Sequence, residues 1–147
     1  MSLRIREDVE KFTFYELSLE EKKRVVEVLS KALLERREVL LAVVFGGFVK
    51  YSVFRDIDVA VFTGYKIPYS EVEAYEEELS RTLGPLVGIP VDTIIVDYAP
   101  PWFRAKALEG VVLVEREVAL AERLRFKSIQ EVNDIKAKAE KAFKLQY

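Results

Sequence analysis

The chain of 147 residues contains no cysteine and no histidine. Without thiols there can be no disulfides, no thiolate nucleophile and no thiolate-held zinc or iron–sulfur site. Without imidazole, every His-based triad and the usual general base near neutral pH are excluded. A metal in this protein must be held by oxygen, which points to magnesium, manganese or calcium. Catalysis must run on carboxylates, lysines, arginines, tyrosines, hydroxyls and backbone amides. Long apolar runs are missing as well: none reaches the roughly 18 residues a membrane-spanning helix requires. Residues 1–11 are charged throughout and carry no apolar stretch of the kind a secretion signal needs, so a cytoplasmic protein is expected. An excess of positive charge is also lacking. Twenty-three Lys and Arg face 25 Asp and Glu, for a net charge of −2, and a generic nucleic-acid binder wants a basic footprint. Asn133, Gln130 and Gln146 are the only side-chain amides. So few beside many Lys, Arg and Glu suggest a heat-adapted source, which bears on stability and not on function.

Half of the residues are hydrophobic and 33% are charged, the balance of a globular chain with a core. The length predicts one domain over 1–147, and a domain of about 150 residues buries roughly 70% of its unfolded surface without a staple. Ser18-Leu-Glu-Glu21 is a capping box, in which the Ser hydroxyl and the Glu carboxylate satisfy each other's backbone amides. It predicts a helix to about Arg37 with Val25, Leu29, Ala32 and Leu33 inward. The apolar run Val39–Phe45 predicts a buried strand ended by Gly46-Gly47, and a second strand spans 56–62. Ser70–Glu73 repeats the capping signal and opens an acidic helix expected to stop near Gly84. Strands at 91–96 and 111–114 flank a short helix led by Pro100-Pro101, and the chain turns helical again from about Val118. This order predicts a small mixed α/β (α+β) sheet with flanking helices, a core over about 18–115 and a helical extension over about 116–147.

The informative segment runs from Phe45 to Phe62. In a strand, side chains alternate faces, so Asp56 and Asp58 share one side while Ile57, Val59 and Val61 point into the core. Two carboxylates so close repel each other unless a cation or shared proton neutralises them. Asp92 opens the next strand. If that strand lies beside the second, three acids can form a clamp around one or two divalent ions for in-line displacement at phosphorus. Gly46-Gly47 follows a buried strand, and glycines let backbone amides approach phosphate oxygens. Lys50 and Arg55 can add positive charge there.

Gly46-Gly47, then Arg55-Asp56-Ile57-Asp58-Val59, then Val91-Asp92, resemble the signature of the DNA polymerase β-type nucleotidyltransferase superfamily. The chain is most similar to its minimal stand-alone branch, the MNT proteins, over about residues 18–115. The resemblance implies a polymerase β-like fold. It also implies that Asp56, Asp58 and Asp92 bind Mg²⁺ (or Mn²⁺), with Asp92 at the ion that activates an acceptor hydroxyl. Gly46 and Gly47 would hold the β- and γ-phosphates, joined by Lys50 and Arg55. The implied reaction is transfer of a nucleoside monophosphate, AMP from ATP, to a hydroxyl. In this branch such proteins are commonly paired with a HEPN-domain toxin, which the nucleotidyltransferase neutralises by attaching AMP. The chain departs from the family pattern at Gly47, where a serine is usual. Its loop is also shorter: eight residues (48–55) separate Gly47 from Asp56.

Those departures favour an alternative, a catalytically weak or inactive nucleotidyltransferase-fold module that binds a nucleotide or a partner. A polymerase or tailing enzyme would need a basic channel or an accessory domain. Asp97, at an odd offset from Asp92, faces away and is left out of the site. Trp102 and Phe103 are read as hydrophobic anchors of the short helix, with stacking on a base as the lesser reading. The run Glu71, Glu73, Glu76, Glu77, Glu78 is read as a solvated helix face. Residues 116–147 hold eight Lys or Arg against five acids, net +3, leaving −5 for residues 1–115. Their stripe Ile129, Val132, Ile135, Ala139, Ala142, Phe143 fits a helix that packs on its own sheet or overhangs to reach a partner chain. Monomer, homo-oligomer and hetero-oligomer all remain open.

Overall fold

The computed structural model of the protein describes residues 4–7 and 13–146. Its centre is a four-stranded sheet built from β3 (Leu41–Phe45), β5 (Ile57–Phe62), β6 (Val91–Ile95) and β7 (Val111–Glu115), in the order β6-β5-β3-β7. β5 and β6 are parallel, while β3 runs antiparallel to both β5 and β7. A second sheet of three strands, β1 (Arg4–Glu7), β2 (Thr13–Glu16) and β4 (Val53–Phe54), stands apart in the order β1-β2-β4. Sequence patterning misses this sheet because its strands are four, four and two residues long, too short to show a period.

The central strands are apolar on both faces because helices cover both. α1 (Leu19–Leu34) and α3 (Val72–Val87) bury Val25, Leu29, Leu33, Leu79 and Leu83 against Ile57, Val59 and Val61. On the opposite face, α4 (Pro101–Ala107) and the start of α5 (Leu120–Gln146) cover Leu41, Val43, Ala60 and Phe62. The Ser18–Glu21 capping box forms as expected, with both bonds at 3.1 Å.

The helix after β5 differs from expectation at both ends. Pro68 sets off a single 3₁₀ turn over Tyr69–Glu71, so Ser70 lies inside a turn and no side chain caps α3. At the far end the helix runs through Pro85 to Val87. A proline in the last turn forfeits one backbone bond there, and burial of Leu83 and Val87 carries the turn onward. Gly88, in left-handed conformation (φ 71°), then stops it and donates to the Gly84 carbonyl.

The long C-terminal helix packs on the body at its start and leaves it at its end. Leu120, Ala121 and Ser128 are buried, and Arg104 of α4 reaches Ser128 at 2.7 Å and Glu131 at 3.1 Å. From residue 133 to residue 145 every position is exposed, so the second half of α5 projects beyond the body. Among the described residues no helix is long and apolar enough to cross a membrane.

Candidate active site

The parallel pairing of β5 with β6 sets Asp58 directly beside Asp92, and the antiparallel pairing with β3 sets Asp58 beside Phe45 on its other side. Neighbouring strands lie about 4.8 Å apart, so this register alone makes two carboxylates adjacent. Asp56 sits just before β5 and is half-buried, as is Asp58, while Asp92 is exposed. Burial first, then the charges of Asp56 and Asp92, push the Asp58 carboxyl up to about 6. Asp92 is also raised, by burial and then by Asp56. The three acids therefore feel one another, and a cation would relieve the repulsion. Among the described residues, however, no three acidic side chains converge on a point ready to hold an ion. An all-oxygen donor set of adjacent but unclosed carboxylates suits a magnesium-type ion, which keeps waters and takes its remaining ligands from substrate phosphates.

The turn after β3 abuts these acids. Gly46 has φ 78° and ψ −151°, a region open essentially to glycine alone. A β-carbon there would lie 2.6 Å from Asp58 Oδ2. The conformation requires glycine, and the close approach lays backbone against the carboxylate. Gly47 then starts α2 (Gly47–Lys50), a single helical turn. At Gly47 a β-carbon would meet Phe54 Cβ and Tyr51 Cδ2 at 3.7 Å, ordinary contact, so serine would fit where this chain has none.

A residue that sequence reading missed holds this turn in place. Lys22 of α1 donates to the Phe48 carbonyl at 2.7 Å and the Tyr51 carbonyl at 2.6 Å, and its ammonium lies 5.3 Å from the Phe48 ring centroid. It satisfies carbonyls at the end of α2, where positive charge is favourable. Only its spatial closeness reveals the role, since 26 residues separate it from Phe48.

A cavity of about 520 Å³ opens from the same turn, lined by Gly46, Gly47, Lys50, Tyr51, Trp102 and Lys106 among others. Lys50 is thus where the sequence reading put it. Arg55 is exposed just ahead of Asp56 and does not line this cavity. Phe103 is the anchor expected of it, packed edge-on against Phe45 at 6.0 Å. Trp102 is not: it is 62% exposed and walls the cavity.

On the far side of Asp92 the acidic helix face is less uniform than expected. Ser80 and Glu76 of α3 accept from the Thr93 and Ile95 amides at 3.1 and 2.8 Å, closing the open edge of β6. Burial, then Asp92 and Glu73, raise Glu76 against the lowering effect of that backbone bond. Glu78 is engaged in a two-point pair with Arg36 at 2.7 and 2.8 Å. Asp97 lies outside the site, as predicted. It is buried and takes the Thr63 amide and hydroxyl and the Tyr65 amide, fixing a turn in which Tyr65 has φ 64°.

No curated protein matches the chain in sequence. Among solved structures, the chain is similar to one in the MntA–HepT toxin–antitoxin (TM-score 0.58, 16% identity, covering 86% of this chain and 97% of that one). It is similar to one in a toxin–antitoxin with AMP-PNP (TM-score 0.62, 17% identity, 84% and 95%). It is also similar to one in the tri-AMPylated Shewanella oneidensis HEPN toxin in complex with MNT antitoxin (TM-score 0.59, 15% identity, 81% and 96%). At such identities the likeness is one of fold. The family model for polymerase beta nucleotidyltransferases matches residues 27–119, which span the Gly-Gly turn and all three acids, and the chain belongs to that family.

Proposed function

We propose that this protein is a divalent-metal-dependent nucleotidyltransferase that moves AMP from ATP to a hydroxyl on a HEPN-type partner, acting as an MNT-type antitoxin. The observation that carries the reading is the register of Asp58 beside Asp92 with the Gly46–Gly47 turn laid against Asp58. The MNT–HEPN complexes, one of them AMPylated, support the choice of partner and of transferred group.

Asp56, Asp58 and Asp92 would hold the cation, which supplies charge neutralisation of the triphosphate when bound. Gly46 and Gly47 offer backbone to the β- and γ-phosphates, since the first amides of a helical turn have no partner within it. Lys22 keeps that turn fixed, and Lys50 adds charge at its end. Asp92, on the outer strand and exposed, is open to an approaching acceptor hydroxyl. There the acceptor oxygen gives up its proton to a neighbouring carboxylate or water and bonds to the α-phosphorus as the bond to the bridging oxygen breaks, and pyrophosphate leaves. Positioning and electrostatics supply the acceleration.

The test is incubation with α-labelled ATP, Mg²⁺ and a HEPN-domain partner. Label on the partner is expected from wild type and none from Asp58→Asn. No label from wild type, with both proteins folded, overturns the reading. A second reading rests on Gly47, which lacks the hydroxyl of the family's usual serine: the chain neutralises its partner by binding alone. Under that reading Asp58→Asn would neutralise as well as wild type.

A further inference from the structure

We infer that Lys22 is a positioning residue for the nucleotide: its ammonium clamps both ends of the 48–55 loop and so holds the Gly46–Gly47 turn in place against Asp56 and Asp58. The inference rests on the nucleotide site proposed above and assigns a task in it to a side chain that acts only through the loop. The site needs the phosphate turn and the acid pair at a fixed separation, and the eight residues between Gly47 and Asp56 join the two. Lys22 meets this loop at three points. The ammonium donates to the Phe48 carbonyl at the loop's start and to the Tyr51 carbonyl in its middle, at 2.7 and 2.6 Å. Near the loop's end lies Phe54, whose ring centroid is 5.4 Å from Lys22 Nζ, against 5.3 Å for the Phe48 ring. These two rings are buried and meet edge-on at 5.1 Å. Phe54 Cβ also lies 3.7 Å from where a β-carbon on Gly47 would stand. The loop thus folds back until its last residues pack on the phosphate turn, and one cation sits at the junction. Two carbonyls and two ring faces make that cation a strong local tie. The turn cannot supply the tie itself. α2 is a single helical turn, too short to be stable alone. Its Gly46 and Gly47 carbonyls are taken by the Lys50 and Tyr51 amides, while those of Phe48 and Tyr51 go to Lys22. Burial holds the Lys22 ammonium below its usual pKa, as befits a charge committed to these partners rather than to water. The clamp is anchored in turn, because Val25, Leu29 and Leu33 of α1 are fully buried. Lys23, the next residue, differs: its side chain is 62% exposed and pairs only loosely with Glu20, at 3.6 Å.

The experiment is calorimetric titration of ATP with Mg²⁺ into wild type, Lys22→Ala, Lys22→Met, Lys22→Arg and Lys23→Ala, with thermal melts to show that each is folded. Lys22→Ala should weaken ATP about tenfold or more, the scale expected for lost charge-assisted hydrogen bonds. Lys22→Met keeps the stem and loses the ammonium, so it should show the same loss and serves alone if Lys22→Ala does not fold. Lys22→Arg can still donate to both carbonyls and should recover most of the affinity. Lys23→Ala removes the same charge one residue on and should bind like wild type. Propylammonium replaces the atoms missing from Lys22→Ala and should restore its affinity severalfold. Tetramethylammonium, of equal charge but without N–H groups, should not. Binding by Lys22→Ala and Lys22→Met as tight as by wild type overturns the positioning role and leaves the nucleotide site standing. A loss that neither Lys22→Arg nor propylammonium reverses makes Lys22 a packing residue and overturns it as well. If ATP does not bind wild type, the nucleotide site itself falls and this inference with it.

Discussion

Replacing Asp58 by Asn keeps the shape of the side chain and removes its charge from a place where burial, Asp56 and Asp92 all penalise it. Raising a carboxyl from its ordinary 3.8 to about 6 corresponds to about 3 kcal/mol of cost to the ionised folded protein. The group is half-buried, and solvent screening reduces this to about 1–2 kcal/mol. Folded Asp58 holds its proton more tightly than the unfolded chain does. Below about pH 4 both states are protonated and the substitution changes little. Between about pH 4 and 6 the unfolded chain ionises first, so wild type loses stability relative to the variant, and above that range the gap is constant. At pH 8, without metal or nucleotide, Asp58→Asn should therefore melt about 3–6 °C higher than wild type. Circular dichroism melts at pH 8 and pH 4.5 measure the gap, which should shrink at the lower pH. The same variant should lose metal-dependent nucleotide binding, the expected trade between stability and a charged site. A variant less stable than wild type at pH 8, or a gap equal at both pH values, would refute the electrostatic reasoning.

Further outcomes follow from the same geometry. Gly46→Ala puts a β-carbon on Asp58 in a backbone region closed to alanine, and should cost about 1–3 kcal/mol in denaturant unfolding and abolish nucleotide binding. Gly47→Ser meets only ordinary contacts, so stability should be unchanged in the same assay, and ATP affinity should rise by severalfold as a hydroxyl returns to the phosphate turn. Asp97→Asn swaps a buried acceptor for a group that must present N–H to the Thr63 or Tyr65 donors, costing about 2–3 kcal/mol by urea melts, with ATP affinity intact in whatever folds.

The central strands and α1 are legible in the sequence because each carries a strong local signal. Val39–Phe45 is a continuous apolar run, and Ser18–Glu21 spells its own cap. The Asp pair is legible for the same reason, a spacing of two in a strand. Asp92 is legible only once β6 is taken to lie beside β5, which the parallel register bears out. What escapes the sequence is whatever depends on distant neighbours. Lys22 supports the Gly-Gly turn through space, and Glu76 and Ser80 serve the edge of β6 rather than solvent. Trp102 looks like a core anchor until α4 is seen to turn it outward while Phe103 turns in. Ser70 has the right partner at the right spacing, yet Pro68 starts the turn before it and the cap is lost. A local motif is kept when tertiary packing agrees with it, and α3 continues past Gly84 because packing of Val87 does not.

The account depends above all on a nucleotide site organised by the acids of β5. Calorimetric titration of ATP with Mg²⁺ into wild type, beside the Asp56→Asn, Asp58→Asn double variant, tests it most directly. Binding by wild type that disappears on chelation of the metal, and no binding by the double variant, is the predicted result. Equal binding by both proteins, or none by wild type, would contradict it.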